Sequence, residues 1–149
     1  MSALVFVDTN VLLYAVDSAV PEKQKAAAAW REALWRSRRG RISYQVLQEF
    51  YAQAIRKQPK RADLAQAEVR DLFAWEPIAV DADLIRAAWG LQAHFSLSFW
   101  DALIVAAAQA LRCGFLLTED LTHEQDLGGV RVVNPFRVTP ASLDDLAAS

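Results

Sequence analysis

The sequence predicts an α/β protein in which a parallel sheet is buried between helices. Short apolar runs such as residues 3–7 and 130–133 contain β-branched side chains, which is typical of strands covered on both faces. Longer segments with apolar residues at helical spacing separate these runs. Strands that alternate with helices form parallel sheets with right-handed crossovers.

The amino-terminal part of the chain predicts a strand, a tight turn and two helices. Three consecutive helix-capping side chains, Asp-Thr-Asn at residues 8–10, follow the first apolar run and precede an apolar helix start. Pro21 suits the first position of a second helix, because its fixed φ is helical and no donor is needed there. Apolar residues recur at helical spacing over residues 22–38, and we expect Gly40 to end this helix.

The middle of the chain predicts one brief strand and three helical segments. Residues 41–43 are a strand candidate, after which apolar side chains repeat at helical spacing until Pro59 interrupts them. Residues 61–73 predict another helix. The segment 77–80 is short, apolar and bounded by acidic residues, and helical periodicity resumes over residues 82–95.

The carboxyl-terminal part contains the most apolar helix. Ser98 is the expected start of a helix over residues 99–111, which is apolar nearly all round and is therefore expected at the centre of the fold. We expect Gly114 to end it. Strand candidates follow at residues 115–117 and 130–133, separated by a polar loop.

Composition excludes several classes of protein. The formal net charge of −2 would not draw the whole molecule to nucleic acid or to an anionic membrane. A single cysteine forms no internal disulfide, and two histidines give no Cys/His metal motif. The most apolar stretch, residues 102–111, is far shorter than the ~20 residues of a membrane span. We expect a cytoplasmic protein without a membrane segment, whose single domain covers residues 1–138 and is followed by a short tail, residues 139–149.

Basic residues gather in two places that could hold a polyanion locally. The simpler interpretation is that they are solvated helix ends, where cations favour the negative end of the helix dipole. The first cluster is Arg36, Arg38, Arg39 and Arg41, and the second is Arg56, Lys57, Lys60 and Arg61.

Four carboxylates, Asp8, Glu49, Asp101 and Asp120, stand near strand ends or on apolar helices. Asp8 and Asp120 follow apolar strands closely, and ligands of open α/β sheets bind at the carboxyl ends of the strands. Asp101 shares a helix face with apolar residues three, four and seven positions on, so it should point inward.

Each acid also has an ordinary structural explanation. Asp8 could cap the next helix, although its two successors could do so equally well. Asp101 could form a capping-box-like pair with the serine three residues earlier. Glu49 could be a solvated helix residue, and Asp120 could belong to a solvated loop.

Convergence of the four acids on one crevice would have an electrostatic cost. Two carboxylates ~5 Å apart repel by roughly 3 kcal/mol at an effective dielectric constant of 20. Either some of them protonate or a cation neutralises them. Ligands that are all oxygen select hard ions such as Mg²⁺ or Mn²⁺, and zinc is disfavoured. The pattern therefore predicts a divalent metal site.

Four blocks of sequence carry a family resemblance. They are Phe-Val-Asp-Thr-Asn at 6–10, Ser43 with Val-Leu-Gln-Glu-Phe at 46–50, Ser-Phe-Trp-Asp-Ala-Leu-Ile at 98–104, and Leu-Leu-Thr-Glu-Asp-Leu at 116–121. In this order and spacing they resemble the PIN-domain ribonucleases of the VapC type, found in bacterial toxin–antitoxin pairs. The resemblance extends over residues 5–133, nearly the whole chain.

The resemblance implies a three-layer α/β/α fold with a central, mostly parallel five-stranded sheet. It implies hydrolysis of RNA phosphodiester bonds by in-line attack of a water activated by Mg²⁺ or Mn²⁺. The three aspartates among the four acids would be metal ligands, and Glu49 would orient or deprotonate the water. Glu119 and Asp126 compete with Asp120 for the fourth acidic position. The small polar side chains near the metal would be Thr9, Asn10 and Thr118.

The partners implied by the resemblance are an RNA substrate, a cognate antitoxin that wraps the toxin and reaches its active site, and a second copy in a homodimer. Trp30, Leu34 and Trp35 could supply an apolar contact face, although ordinary core residues are the simpler interpretation.

Two other functions compete with the nuclease. A haloacid-dehalogenase-like phosphatase also begins with a strand and an aspartate, but it needs a second aspartate where this chain has Asn10. A degenerate PIN module that binds RNA or protein without cutting would lack one acid of the quartet. A phospho-acceptor receiver would need an adjacent acid pair and a lysine after a late strand, neither of which is evident.

Overall fold

A five-stranded sheet forms the middle layer of the protein, with helices on both faces. The computed structural model describes residues 2–148, so Met1 and Ser149, the outermost residues of the predicted domain and tail, lie outside the described residues. The strands are β1 (Val5–Val7), β2 (Gly40–Arg41), β3 (Phe115–Leu117), β4 (Asp126–Leu127) and β5 (Val130–Val133). Their order in the sheet is β2-β1-β3-β5-β4, parallel except for β4. The predicted α/β/α fold with a mostly parallel five-stranded sheet is confirmed.

The strand order creates a switch point beside β1. The chain passes from β1 to β2 on one side, and its next strand, β3, lies on the other side of β1. Val5 pairs with Phe115 and Val7 with Leu117, so β1 and β3 end at the same level. In open α/β sheets, ligands bind outside the carboxyl ends of the strands at such a point. The residues that follow β1 and β3 are therefore in position to bind a ligand.

Seven helices surround the sheet within residues 2–148. They are α1 (Thr9–Val16), α2 (Pro21–Ser37), α3 (Tyr44–Lys57), α4 (Ala62–Leu72), α5 (Ala82–His94), α6 (Phe99–Ala110) and α7 (Leu143–Ala148). Helix α1 packs against α2 and α3, α3 packs against α4, and α5 packs against α6. The bounds of α2 to α6 differ from the predicted bounds by one or two residues at most, whereas no end was predicted for α1.

Helix α6 lies in the core, as its composition predicts. Residues 102–108 are all buried, and the helix contacts β3 and β5. Trp30 and Leu34 of α2 are also buried, whereas Trp35 is 41% exposed. The indole N–H of Trp30 lies 3.1 Å from the carbonyl oxygens of both Pro135 and Val138 and donates to them. The face with two tryptophans is therefore mainly core, which agrees with the simpler interpretation.

Two glycines have roles that differ from the predicted ones. Arg38, not Gly40, takes the left-handed conformation that ends α2, with φ of 60°. After α6 this conformation belongs to Arg112, with φ of 58°. A Cβ on Gly40 would lie 2.5 Å from the ring of Trp75, and one on Gly114 would lie 3.1 Å from a neighbouring side chain. Both glycines allow close packing beside a strand, so the prediction that they end the helices is wrong.

Three short segments complete the chain. The apolar segment 77–80 forms no strand of its own, and within the described residues Ile78 makes an isolated parallel bridge with Ser43. The polar loop after β3 contains the two-residue strand β4. A 3₁₀ turn and α7 form the tail, where Leu143 is buried.

No single helix within residues 2–148 is long and apolar enough to cross a membrane. Helices α5 and α6 reach that length and composition only as a pair, and they are bent by 114° at the break between them.

Candidate active site

Four segments bring acidic side chains to the carboxyl edge of the sheet beside β1. Asp8 follows β1 directly and Asp120 lies three residues after β3, while Glu49 is on α3 and Asp101 is on α6. All four line a single cleft of about 170 Å³. The other lining residues are Thr9, Asn10, Leu13, Gln45, Gln53, Trp100 and Ile104. The predicted acids, distant in sequence, therefore share one small concavity at the switch point.

Asp8 is buried, only 6% exposed, and its carboxylate bonds both to the start of α1 and to the segment after β3. Its Oδ1 accepts a hydrogen bond from the amide of Thr9 at 2.7 Å, which makes Asp8 the N-cap of α1, a role that the sequence left open to its neighbours. Its Oδ2 accepts from the hydroxyl of Thr118 at 2.9 Å. Burial raises the pKa of Asp8 to about 6, and the charges of Asp120 and Asp101 add to the rise, while both hydrogen bonds oppose it.

Asn10 connects the residues that follow β1 to those that follow β3. Its side-chain NH₂ donates to Asp8 Oδ2 at 3.3 Å, to Thr118 Oγ1 at 3.0 Å and to Asp120 Oδ2 at 3.1 Å. Its carbonyl oxygen accepts from the amide of Glu119 at 3.4 Å. The Thr118 hydroxyl, fully buried, also accepts from the amide of Asp120 at 3.1 Å. Two neutral side chains thus fix two carboxylates that repel each other.

Glu49 is oriented by one hydrogen bond on each carboxylate oxygen. The hydroxyl of Thr9 donates to Oε2 at 2.8 Å, and the side-chain amide of Gln45, one turn earlier on α3, donates to Oε1 at 3.2 Å. An ionised carboxylate has about four lone-pair sites, so each oxygen keeps acceptor capacity. Glu49 can therefore accept a further hydrogen bond from a molecule in the cleft without breaking its supports.

Asp101 lies in the first turn of α6, where the helix dipole favours negative charge. Its backbone amide donates to the hydroxyl of Ser98 at 3.1 Å, so the predicted N-cap is present. Among residues 2–148 the Asp101 carboxylate accepts no side-chain hydrogen bond and pairs with no cation. Its oxygens are thus available to a ligand, in contrast to those of Asp8.

The acids that compete for the fourth position differ in geometry. Asp120 lines the cleft, and burial is the main cause that raises its pKa, with the charges of Asp101 and Glu119 adding to the effect. The carboxylate of Glu119 instead pairs with the Lys23 ammonium at 2.8 Å. Asp126 is exposed on β4, where it accepts from the amide of Gly129 at 2.7 Å.

The cleft carries negative charge that the described residues leave uncompensated. No lysine or arginine in residues 2–148 forms an ion pair with Asp8, Glu49, Asp101 or Asp120, although six other ion pairs are present. Within the same range no three acidic, histidine or cysteine side chains are close enough to enclose a metal ion by themselves.

The donor set nevertheless fits a hydrated hard cation. Mg²⁺ keeps several of its own waters and usually takes one or two protein carboxylates, so it does not need a closed cage of three. Asp8 and Asp120, tied to one Asn10 amide, supply two such groups, and Asp101 supplies unbonded oxygens nearby. Zinc would need about four tight nitrogen, sulfur or oxygen ligands, which the cleft does not provide.

The two basic clusters have different surroundings. Arg39 donates to the carbonyl of Ala3 at 2.7 Å and pairs with Asp144, and Arg41 donates to nearby backbone carbonyls. This first cluster lies at the amino end of β2, opposite the acids. The second cluster lies where α3 ends, and its Lys57 and Arg61 border a separate groove.

Two glutamines and a tryptophan of the cleft were not predicted as site residues from the sequence. Gln45 and Gln53 lie one turn before and one turn after Glu49 on α3, so a polar stripe at helical spacing was the available signal. Trp100 precedes Asp101 and is 62% exposed. Sequence alone suggests burial for a tryptophan, and no local pattern indicated exposure.

Comparison with known proteins agrees with this geometry. Residues 5–125 match the family model of the PIN domain. A toxin–antitoxin complex from Klebsiella pneumoniae is similar at 25% identity, with a TM-score of 0.61, covering 88% of this chain and 97% of the other. VapC20 of Mycobacterium tuberculosis, a toxin that cleaves the sarcin–ricin loop, is similar at 25% identity and a TM-score of 0.58, covering 75% and 86%.

A third structure shares the fold. VapBC2 from Rickettsia felis, bound to a DNA fragment from its promoter, has 19% identity and a TM-score of 0.59, covering 88% of this chain and 98% of the other. No curated protein sequence matches the chain significantly. The family match covers most of the sequence and both segments that follow the strands of the switch point. The chain therefore belongs to the PIN domain family.

Proposed function

We propose that this protein is a divalent-metal-dependent endoribonuclease and the toxin of a toxin–antitoxin pair. The observation that carries the proposal is the meeting of four acids from four segments in one cleft without a cationic partner among residues 2–148. Asp8, Asp101 and Asp120 raise one another's electrostatic cost in this cleft, which favours the capture of a cation. Similarity to a toxin–antitoxin complex and to an RNA-cleaving toxin supports RNA as the substrate.

In this proposal Asp8, Asp101 and Asp120 hold Mg²⁺ or Mn²⁺. The ion would supply Lewis-acid activation of a water and neutralise charge on the phosphodiester. Asn10 and Thr118 keep Asp8 and Asp120 at a fixed separation, so these carboxylates need little rearrangement when they bind a ligand.

Glu49 orients the attacking water or accepts its proton. Thr9 and Gln45 hold one oxygen each, which fixes the plane of the carboxylate while leaving lone pairs toward the cleft. A fixed acceptor lowers the entropic cost of aligning the water with phosphorus.

The competing functions fit less well. A phosphatase of the haloacid-dehalogenase type would need an acid where Asn10 stands, and this amide is engaged with three oxygen acceptors. A degenerate PIN module would lack an acid, whereas all four carboxylates line this cleft.

Cleavage of RNA by purified protein tests the proposal. We expect cleavage of single-stranded and stem–loop RNAs with Mg²⁺ or Mn²⁺ and none with EDTA. Asp101→Asn should lower the rate by at least about 100-fold, because it removes a ligand charge. The matched control is Asp126→Asn, the same change at an exposed acid outside the cleft, which should cleave like the parent. Equal rates for the parent and Asp101→Asn would contradict the proposal.

The antitoxin would occupy the groove that adjoins the cleft. This groove has a volume of about 620 Å³ and shares Leu13 with the cleft. Apolar side chains such as Val16 and Leu64, 45% and 50% exposed, line it, and Lys57 and Arg61 border it. An amphipathic segment with acidic residues at its edge would match this surface.

Substitution of Leu64 by glutamate tests this partner site. Leu64→Glu should weaken binding of the co-encoded antitoxin while leaving RNA cleavage intact, because Leu64 does not line the acidic cleft. Phe73→Glu is the matched control, since Phe73 is 49% exposed and lies outside the groove. Equal antitoxin affinity for the two variants would exclude the groove.

A homodimer and a cytoplasmic location belong to the same proposal. A toxin that cleaves RNA and is inhibited by a co-encoded protein would act inside the cell that makes it. Light scattering at the outlet of a gel-filtration column would measure the mass, and a value of 16.6 kDa would exclude the dimer.

A further inference from the structure

Trp100 presents an exposed aromatic face at the edge of the acidic cleft. It immediately precedes Asp101 on α6, lines the same cleft as the four acids and is 62% exposed. Tryptophan is highly buried on average. A largely exposed tryptophan in contact with a charged cleft is therefore a candidate for ligand contact.

The position of Trp100 is fixed by the start of α6. The Ser98 hydroxyl caps the helix by accepting from the Asp101 amide, which brackets Trp100 within the first turn. The ring of Phe99 packs edge-on against the Trp100 ring, with centroids 5.4 Å apart and an interplanar angle of 66°. Phe99 in turn packs against the core. The indole is thus carried by the capped first turn of a helix that packs against the core.

The lining of the cleft suits a phosphodiester better than a base. Four carboxylates and the polar side chains of Thr9, Asn10, Gln45 and Gln53 form most of it. Once a cation is bound, these groups favour a phosphate, whereas an aromatic ring at the edge offers the flat surface on which a base can stack. Trp100 is the aromatic side chain that lines this cleft within residues 2–148.

Charge gives the protein little general affinity for RNA. The net charge is −2, and the four acids repel a phosphate backbone until a cation neutralises them. Stacking on an aromatic ring does not depend on charge, and every base has a π face that can use it. A base that is paired inside a duplex cannot offer that face, whereas an unpaired base can.

We propose that Trp100 stacks on an unpaired nucleobase next to the scissile phosphodiester. This role rests on the proposed nuclease function of the same cleft. Trp100 is a binding residue in this scheme: it places the neighbouring phosphodiester over the acids.

Fluorescence of an RNA probe measures this contact directly. The probe is an unstructured oligoribonucleotide with one 2-aminopurine, moved along the sequence, bound to Asp8→Asn protein so that cleavage does not interfere. Quenching is expected at one position, and Trp100→Ala should abolish it and raise Kd by about 5- to 150-fold. Trp100→Phe should retain most of both effects. Trp89→Ala is the matched control, because Trp89 on α5 is 59% exposed but does not line the cleft.

Removal of the base completes the test. An abasic nucleotide at the quenched position should weaken binding to the Asp8→Asn protein as much as Trp100→Ala does, and the two changes together should cost no more than one. The same sequence in a duplex should show no dependence on Trp100. Equal Kd values for the Trp100→Ala and Trp89→Ala proteins would overturn the stacking role, as would a Trp100→Ala effect confined to antitoxin affinity.

Failure of stacking and failure of the nuclease have different signatures. Metal-dependent cleavage by the parent with no Trp100-dependent quenching removes the stacking role and leaves the nuclease proposal standing. Quenching that depends on Trp100, together with no cleavage under any divalent ion, shows a binding site for unpaired bases and removes the nuclease proposal.

Discussion

At the scale of single residues, the site is a set of carboxylates that the fold holds at an electrostatic cost. Asp8 is almost fully buried, and its pKa of about 6 lies above the ordinary value of 3.8. The neutral groups around it, Thr118 and Asn10, satisfy its oxygens without cancelling its charge. Natural proteins often retain such destabilising residues where function needs them.

The raised pKa of Asp8 predicts how stability varies with pH in metal-free protein. Because the folded state binds this proton more tightly than the unfolded state, the associated stability is complete below about pH 4 and is lost as the pH rises through about 6. Asp8→Asn removes the ionisation. With EDTA present, the free energy of unfolding of Asp8→Asn, relative to that of the parent, should rise by roughly 2–3 kcal/mol between pH 4 and pH 8.

Urea unfolding at several pH values measures this difference. Asp126→Asn makes the same substitution at an exposed acid and should follow the parent across the range. If the curves of Asp8→Asn and the parent ran parallel from pH 4 to pH 8, the buried charge would not be the destabilising group.

Sequence predicted which acids converge but could not choose among the acids that follow β3. Strand ends and caps are local patterns, so Asp8 and Asp101 could be placed from their neighbours. The choice between Glu119 and Asp120 depends on Lys23, which is 96 positions away in sequence and pairs with Glu119. The Lys23 ammonium also lies over the rings of Tyr14 and Phe136, at 4.8 and 4.9 Å from their centroids. No local pattern encodes such a contact.

At the scale of secondary-structure elements, the first turn of α6 contributes both to the stability of the protein and to the geometry of the site. Its first turn carries Trp100 and Asp101, and the cap at Ser98 fixes that turn. Loss of a serine cap typically costs about 1 kcal/mol. The orientation of both cleft residues should therefore depend on a hydroxyl that does not itself line the cleft.

Ser98→Ala should lower both stability and RNA cleavage, while Ser98→Thr should retain both. Asp81→Ala is the matched control, because Asp81 caps α5 by accepting from the Leu84 amide at 2.9 Å and lies outside the cleft. It should cost similar stability, measured by thermal unfolding, with cleavage unchanged well below the melting temperature. A loss of cleavage that is equal in the two alanine variants would mean that stability alone is responsible.

The sequence did not predict those features of the helices and strands that depend on tertiary packing. Helix periodicity located α2 to α6 to within one or two residues. The ring of Trp75 over Gly40 is a long-range contact that sequence spacing cannot show. The antiparallel pair of β4 and β5 has only two residues in β4, too few for a pattern of alternating apolar residues.

At the scale of the whole molecule, strand order determines where the acids meet. The switch beside β1 leaves an opening between the segments after β1 and β3, and α3 and α6 complete its walls. A ligand that binds this folded arrangement and not the unfolded chain raises the melting temperature. We therefore expect the cleft to bind a divalent cation through its acids.

Calorimetric titration with Mn²⁺ measures this binding, using the parent, Asp120→Asn and Glu119→Gln. The last two variants each remove one negative charge at adjacent positions, but only Asp120 lines the cleft. We predict saturable binding to the parent, a loss of at least about tenfold in affinity for Asp120→Asn, and near-parent affinity for Glu119→Gln. Absence of saturable binding to the parent, or equal losses in both variants, would mean that the acids of the cleft do not bind the cation.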